Sequence, residues 1–254
     1  MATYVISDIH GQYDKFIAML DAINLRDTDT LYVLGDILDR GPHPIKVILK
    51  LMEMPNAICL VGNHEYMAAE CLSFLMREVT DRSLDELDYK TLDNLVTWQY
   101  NGAKTTIDEF RALSAEMQAE VIDFIKDMSI YEELTVGGQD YLLVHAGLGS
   151  FAPAKDIRDY SLHDSAGQGC FNPAKDIRDY SLHDLIWKPA DYSSQYFDDK
   201  ILVTGHTPTQ FIKDNPKPGF VYRLHNHLAI DCGAYLEDGR LAAVCLETGE
   251  EFYT

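Results

Sequence analysis

Short apolar runs that lead straight into acidic and imidazole side chains constrain this chain more than any other feature. Thr3 to Ser7, Thr30 to Leu34, Ala57 to Val61, Tyr141 to Val144 and Ile201 to Thr204 have the length and the β-branched and aromatic content of strands. Asp8 and His10 follow the first and Gly35-Asp36 the second; Gly62-Asn63-His64-Glu65 follow the third, His145 ends the fourth, and Gly205-His206 follow the fifth. In open α/β sheets ligands bind at the C-terminal ends of strands, so the pattern predicts a site built there from several chain segments.

Helical periodicity separates the first three runs. Phe16, Ile17, Met19, Leu20 and Ile23 form one apolar face, and Ile45, Ile48, Leu49 and Met52 form another behind Pro44, a residue suited to a first helical turn. This βαβαβ beginning is followed by a helical insert over about 66–128, with apolar spacings at Leu84 and Leu87, at Leu92, Leu95 and Val96, and at Met117, Val121, Ile122 and Ile125. Ile130 to Val136, Gly137-Gly138 and Tyr141 to His145 predict an antiparallel pair. The C-terminal stretch alternates like a second antiparallel sheet, with Asp238-Gly239 as its hairpin signal. The expected fold is one α/β domain over 1–254, a sandwich of two mixed β-sheets flanked by helices, with a dinuclear metal site at the strand C-termini.

One segment stands apart. FAPAKDIRDYSLHD at 151–164 returns as FNPAKDIRDYSLHD at 171–184 after a twenty-residue offset, a tandem duplication. A solenoid needs at least three units, so this is a lengthened loop and not a repeat fold. We expect one copy to pack beside the site and the other to bulge outward.

Charge and cysteine content narrow the functional classes. The net charge of −20 comes with no compensating basic cluster, which argues against binding to a nucleic-acid backbone or an anionic membrane. Five cysteines without a CxxC pair, and an opening MATYVISDIHG that lacks a signal-peptide pattern, give the expectation of a cytoplasmic protein. No apolar run reaches the roughly 20 residues a membrane span requires.

Six candidate ligands, Asp8, His10, Asp36, Asn63, His145 and His206, include no thiol. Such a set suits a pair of divalent first-row ions better than a structural zinc site. A carboxylate bridging two ions roughly 3.5–4 Å apart must lie within reach of both, and Asp36 is central in the order of strands. The glycines at 35, 62 and 205 suit tight turns and close backbone approach beside such ions.

The blocks DIHG at 8–11, GDILDRG at 35–41, GNHE at 62–65, HAG at 145–147 and GHT at 205–207 resemble the signature of calcineurin-like metallophosphoesterases. The GDxxDRG and GNHE variants resemble the phosphoprotein phosphatase branch, which includes Ser/Thr protein phosphatases and symmetrical dinucleoside-tetraphosphatases. The resemblance implies that Asp8, His10 and Asp36 hold one metal and that Asp36, Asn63, His145 and His206 hold the second. It implies that Arg40 grips phosphate, with Asn63 beside it, and that His64, paired with Asp39, protonates the leaving oxygen. The implied reaction is direct attack on phosphorus by a hydroxide formed between the metals. The ligand types accept manganese, the first expectation, or iron or zinc.

The chain departs from the pattern after HAG, where Trp187 is followed by Lys188 and not by an arginine. Lysine keeps the charge and loses the bidentate fork, so the second phosphate-binding cation is Lys188 or a loop arginine, Arg158 or Arg178. The expected activity is hydrolysis of phosphomonoesters, with a phosphorylated protein, peptide or small phosphoester as substrate and a Ser/Thr-type protein phosphatase as the leading form. Hydrolysis of dinucleoside polyphosphates is the enzymatic alternative, and a noncatalytic metal- and phosphate-binding module is the other; the complete residue set argues against the latter. His43 reads as an exposed residue near the mouth. His163, His183, His225 and His227 are assigned no metal, and Cys232 and Trp98 are read as packing.

Overall fold

The computed structural model describes residues 1–75, 89–149 and 177–254. Strands β1 (Thr3–Ile6), β2 (Thr30–Val33) and β3 (Ala57–Cys59) pair in parallel. The crossovers between them are helices α1 (Tyr13–Ala22) and α2 (Pro44–Met52). Pro44 opens α2, where a missing N–H costs no helical bond. Ile45, Val47, Ile48 and Leu51 of α2 are buried, together with Phe16 and Met19 of α1.

The predicted insert is helical where it is described. Helix α3 (Asn63–Leu75) is followed by α4 (Tyr89–Tyr100), α5 (Lys104–Arg111) and α6 (Ala115–Lys126). Ser114 caps α6 by accepting from the Met117 N–H, and Val121, Ile122 and Ile125 turn inward as expected. On α4 the expected apolar face is only partly buried. Leu95 packs against the core, Leu92 and Val96 are about half exposed, and Trp98 is fully buried. Leu84 and Leu87 lie outside the described residues.

Strands β4 (Tyr131–Val136) and β5 (Gln139–Val144) form the expected antiparallel pair. β5 pairs in parallel with β6 (Lys200–Thr204), which pairs in parallel with β8 (His227–Ala229), while β7 (Tyr222–Leu224) runs antiparallel at the edge. The C-terminal segment corrects the sequence expectation. It is not a separate antiparallel sheet: β8 belongs to the second sheet, whereas β9 (Ala242–Cys245) and β10 (Glu251–Tyr253) complete the first in the order β10-β9-β1-β2-β3. Asp238-Gly239 lies in the crossing between the sheets, and the hairpin turns at 246–250, where the Gly249 N–H bonds the Cys245 carbonyl. Local turn chemistry could not reveal that the two flanking strands belong to different sheets.

The sandwich follows from period-two alternation along its strands. Val5, Leu143, Val203 and Val244 meet between the sheets. Tyr4, Ile6 and Cys245 face the helical layer, and Leu142, Val144 and Leu202 face the outer side of the second sheet. That outer side is covered by Tyr180, Leu185 and Ile186, the last two on the short helix α7 (Leu182–Ile186), and by Tyr196. Of the duplicated segment, the first copy lies outside the described residues, and the second is described from Ile177 onward. Among the described residues, no helix is long and apolar enough to cross a membrane.

Candidate metal centre

The C-terminal ends of β1, β2, β5 and β6 and the start of α3 meet at one edge of the sandwich. The Asp8 N–H bonds the Gly35 carbonyl at 3.1 Å, the Gly205 N–H bonds the His145 carbonyl at 2.8 Å, and the His206 N–H bonds Asp8 Oδ2 at 2.9 Å. Neighbouring loops can approach this closely because two positions carry no Cβ. A Cβ on Gly205 would lie 1.8 Å from Ser7 Oγ, and one on Gly62 would lie 2.3 Å from Asp36 Oδ1.

Backbone strain gathers at the same edge. Ten described non-glycine residues have positive φ, and six of them are Asp8, His10, Asp36, Asp39, Arg40 and His206. Left-handed backbone at non-glycine residues persists where surrounding contacts enforce it. Glu65 supplies part of that enforcement. Fully buried, its carboxylate accepts the N–H groups of Asp36 (2.7 Å), Ile37 (2.9 Å), Leu38 (3.0 Å) and Gly62 (3.0 Å), clamping the loop after β2.

All six predicted ligands converge here. One group brings ligand atoms of His10, Asp36 and His64 within 4.8 Å of one another, and a second does so for Asp36, His145 and His206, with Asp36 common to both. Asn63 Oδ1 lies 3.0 Å from His145 Nε2 and 2.9 Å from His206 Nδ1. His10 Nδ1 lies 2.8 Å from the Leu38 carbonyl and His145 Nδ1 lies 2.6 Å from the Leu34 carbonyl. With Nδ1 of each ring engaged there, Nε2 of His10 and of His145 faces Asp36 at 3.6 and 3.3 Å, the usual arrangement of a metal-binding imidazole.

The donor set fits two divalent cations. Asp8 Oδ2 accepts from Ser7 Oγ and the His206 N–H, but its Oδ1 is buried without a hydrogen-bond partner. Burial and the nearby Asp231 and Asp36 push the Asp8 carboxyl well above its ordinary range. Such an oxygen calls for a cation. Burial alone would likewise raise Asp36, yet the surrounding His145, His64 and His10 hold it well below its ordinary value.

Beside these ligands lies a buried dyad. His64 Nδ1 meets Asp39 Oδ2 at 2.6 Å, with both side chains fully buried. Asp39 also accepts from Trp98 Nε1 at 2.7 Å and from Thr106 Oγ1 at 2.5 Å. Burial would lower the His64 pKa, but the Asp36 and Asp39 carboxylates outweigh it and raise the value. Arg40 extends its fork across the site, Nη1 2.8 Å from His10 Nε2 and Nη2 3.1 Å from His64 Nε2.

Other residues named from sequence fall further out or serve differently. Lys188 ion-pairs with Asp184 at 2.7 Å, and Arg178 lies on the outer side of the second sheet in a pocket with Tyr131 and Lys200. Arg158 is outside the described residues. His43 is half-buried and pairs with Glu109 of the helical insert at 2.9 Å. Cys232 is buried, in keeping with a packing role. Sequence reasoning missed Glu65, Trp98 and Thr106. A signal existed for Glu65, an acid within the GNHE block itself, but none for the two insert residues.

A family model for calcineurin-like phosphoesterases matches residues 1–245, and the chain belongs to that family. The symmetrical bis(5'-nucleosyl)-tetraphosphatase of Salmonella paratyphi A is 34% identical over 116 residues. That alignment takes in 44% of this chain and 41% of the relative, so the match spans less than half of the curated protein's length. In fold the chain is similar to a crystal structure of a candidate diadenosine tetraphosphatase, with a TM-score of 0.59, 15% identity, and 100% and 92% of the two chains covered. A metallophosphoesterase from Sphaerobacter thermophilus gives a TM-score of 0.52 at 16% identity, with 100% and 86% covered. The predicted two-sheet α/β architecture is therefore that of solved metallophosphoesterases.

Proposed function

We propose that this single-domain chain is a cytoplasmic phosphoester hydrolase using two divalent ions, manganese first among them, with iron or zinc accepted by the same ligands. Asp8, His10 and Asp36 would hold one ion, and Asp36, Asn63, His145 and His206 the other. The observation that carries this reading is the convergence of His10 from one side and of His145 and His206 from the other on the one carboxylate of Asp36. When bound, the ions supply an activated water and neutralise charge on the phosphoryl group.

The remaining work falls to the protein's own side chains. Arg40 offers a planar fork to phosphate oxygens. His64 donates a proton from Nε2 to the leaving oxygen, because Asp39 engages Nδ1 and keeps the ring oriented and protonated. Asn63 and Lys188 are secondary candidates for phosphate contact, and Lys188 must first exchange its Asp184 partner.

Two substrate classes compete. The name of the curated relatives favours a dinucleoside tetraphosphate. The acidic net charge of −20 favours the other, a phosphorylated Ser or Thr in a basic peptide. The test is hydrolysis of para-nitrophenyl phosphate by metal-stripped protein reloaded with manganese, beside Asp36→Asn and His64→Ala, followed by parallel rates on diadenosine tetraphosphate and a phosphopeptide. Metal-dependent turnover lost in Asp36→Asn supports the reading, and the faster substrate decides the class. No turnover with any metal would return the chain to the binding-module reading.

A further inference from the structure

Tyr235, on the crossing between β8 and β9, is used neither by the motif blocks nor by the mechanism. Its half-buried ring lies beneath the Arg40 guanidinium, with Cζ 4.3 Å from the ring centroid. The same ring meets His10 edge-on, with centroids 5.0 Å apart and planes at 84°.

The segment carrying Tyr235 is tied down on several sides. Lys15 Nζ donates to the Ala234 carbonyl at 2.8 Å and the Gly239 carbonyl at 2.7 Å, and Gln210 Nε2 donates to the Cys232 carbonyl at 2.9 Å. The Gly233 N–H bonds Asp231 Oδ1 at 2.8 Å. Arg40 is equally fixed at its root. Its backbone is left-handed at φ 65°, its N–H bonds the Gly102 carbonyl at 3.1 Å, and a Cβ on Gly102 would lie 3.0 Å from Arg40 Cγ. The helical insert thus sets where the arginine starts, and the β8–β9 crossing meets its tip.

We propose that Tyr235 is a positioning residue for Arg40, an aromatic platform that fixes the plane of the guanidinium so that its fork meets phosphate already aimed. The inference rests on the reading of Arg40 as a phosphate grip. All guanidinium N–H bonds lie in the plane of the group, so a ring covering one face takes no donor away from phosphate, whereas an acidic partner would. Stacking over an aromatic face is attractive and restricts a side chain that otherwise has many rotamers. The hydroxyl plays no part in this, which separates an aromatic requirement from a phenolic one.

The experiment measures binding of inorganic phosphate by equilibrium dialysis to manganese-reloaded protein, with metal content and turnover recorded separately. Tyr235→Phe should bind as wild type, and Tyr235→Leu about tenfold more weakly at unchanged metal content. Arg40→Ala should bind still more weakly, and adding Tyr235→Leu to it should cost nothing further. Tyr235→Gln replaces Tyr235→Leu if the latter does not fold. Wild-type affinity in Tyr235→Leu, additive effects in the double variant, or metal loss from Tyr235→Leu would each overturn the proposal, as would phosphate affinity independent of Arg40. Arg40-dependent and Tyr235-dependent phosphate binding without turnover would sink the hydrolase reading and leave this one standing.

Discussion

Two buried histidines respond to burial in opposite ways. At the strand-end edge, burial would lower the pKa of His145, but the Asp36 and Asp8 carboxylates, together with the Leu34 carbonyl, drive it up to about 10. On the far side of β6, His227 is pushed down to about 4 by burial alone. Its ring stacks on Tyr192 at 5.1 Å and meets Tyr196 edge-on at 5.7 Å, with Nε2 2.8 Å from Thr204 Oγ1 and Nδ1 without a partner. What differs is the charge each ring faces. The first region pools negative charge that only protons or metal ions can satisfy, whereas the second excludes charge altogether.

The largest effect should follow from discharging that pool. Asp36→Asn removes the one carboxylate shared by both ligand groups, and turnover should fall at least about a thousandfold. Metal analysis of the purified variant should show less than the wild-type complement. A variant that keeps full metal content and full rate would mean that Asp36 does not organise the region.

Next comes the acid dyad. Asp39→Asn leaves His64 in place but takes away the anion at its Nδ1, and kcat should fall about a hundredfold. Trp98→Phe keeps the ring packing and deletes one of the donors to the buried Asp39. We expect a loss of about 2 kcal/mol in denaturant titration, in line with the strength of hydrogen bonds to charged groups. Unchanged stability would show that the insert merely lies beside the dyad.

His227 gives a test with a defined sign. Its folded pKa lies below the value near 6.5 of an unfolded histidine, so the unfolded chain binds more protons between about pH 6.5 and pH 4. The folded state is at full strength above that window and loses stability as pH falls through it, by about 1.4 kcal/mol at pH 5.5. His227→Gln should flatten this part of the stability curve. An identical acid limb in wild type and variant would place the titration elsewhere.

The same contrast explains which parts were legible in the sequence. Each candidate ligand follows closely on a strand, so the apolar runs alone pointed to Asp8, His10, Asp36, Asn63, His145 and His206 as candidates without knowledge of the sheets. Trp98 and Thr106 reach Asp39 across 59 and 67 residues. Tyr235 reaches Arg40 through a crossing between sheets that read as a hairpin. Those contacts depend on how the insert and the C-terminal segment dock, and no period or motif encodes docking. The aromatic cage that makes His227 acid-sensitive is equally a product of tertiary packing.

The smallest expected effect concerns the duplication. From Ile177 onward the second copy, continued by Leu185 and Ile186 just beyond its end at 184, makes the contacts a single copy would need. Ser181 and Asp184 cap α7 reciprocally, the Ala146 N–H bonds the Leu185 carbonyl at 2.8 Å, and Tyr180, Leu185 and Ile186 pack against Leu142, Val144 and Leu202. These contacts link the second copy to the HAG segment and so to His145. Deleting 151–170 joins Ser150 to Phe171 and preserves every one of them, so kcat/KM should stay within about twofold of wild type, because the closure cost of a connection changes only slowly with its length. Deleting 171–190 instead removes α7, with Leu185, Ile186 and Lys188, for which the first copy has no counterpart, and turnover should be lost; a folded, active product would mean that these contacts do not support His145.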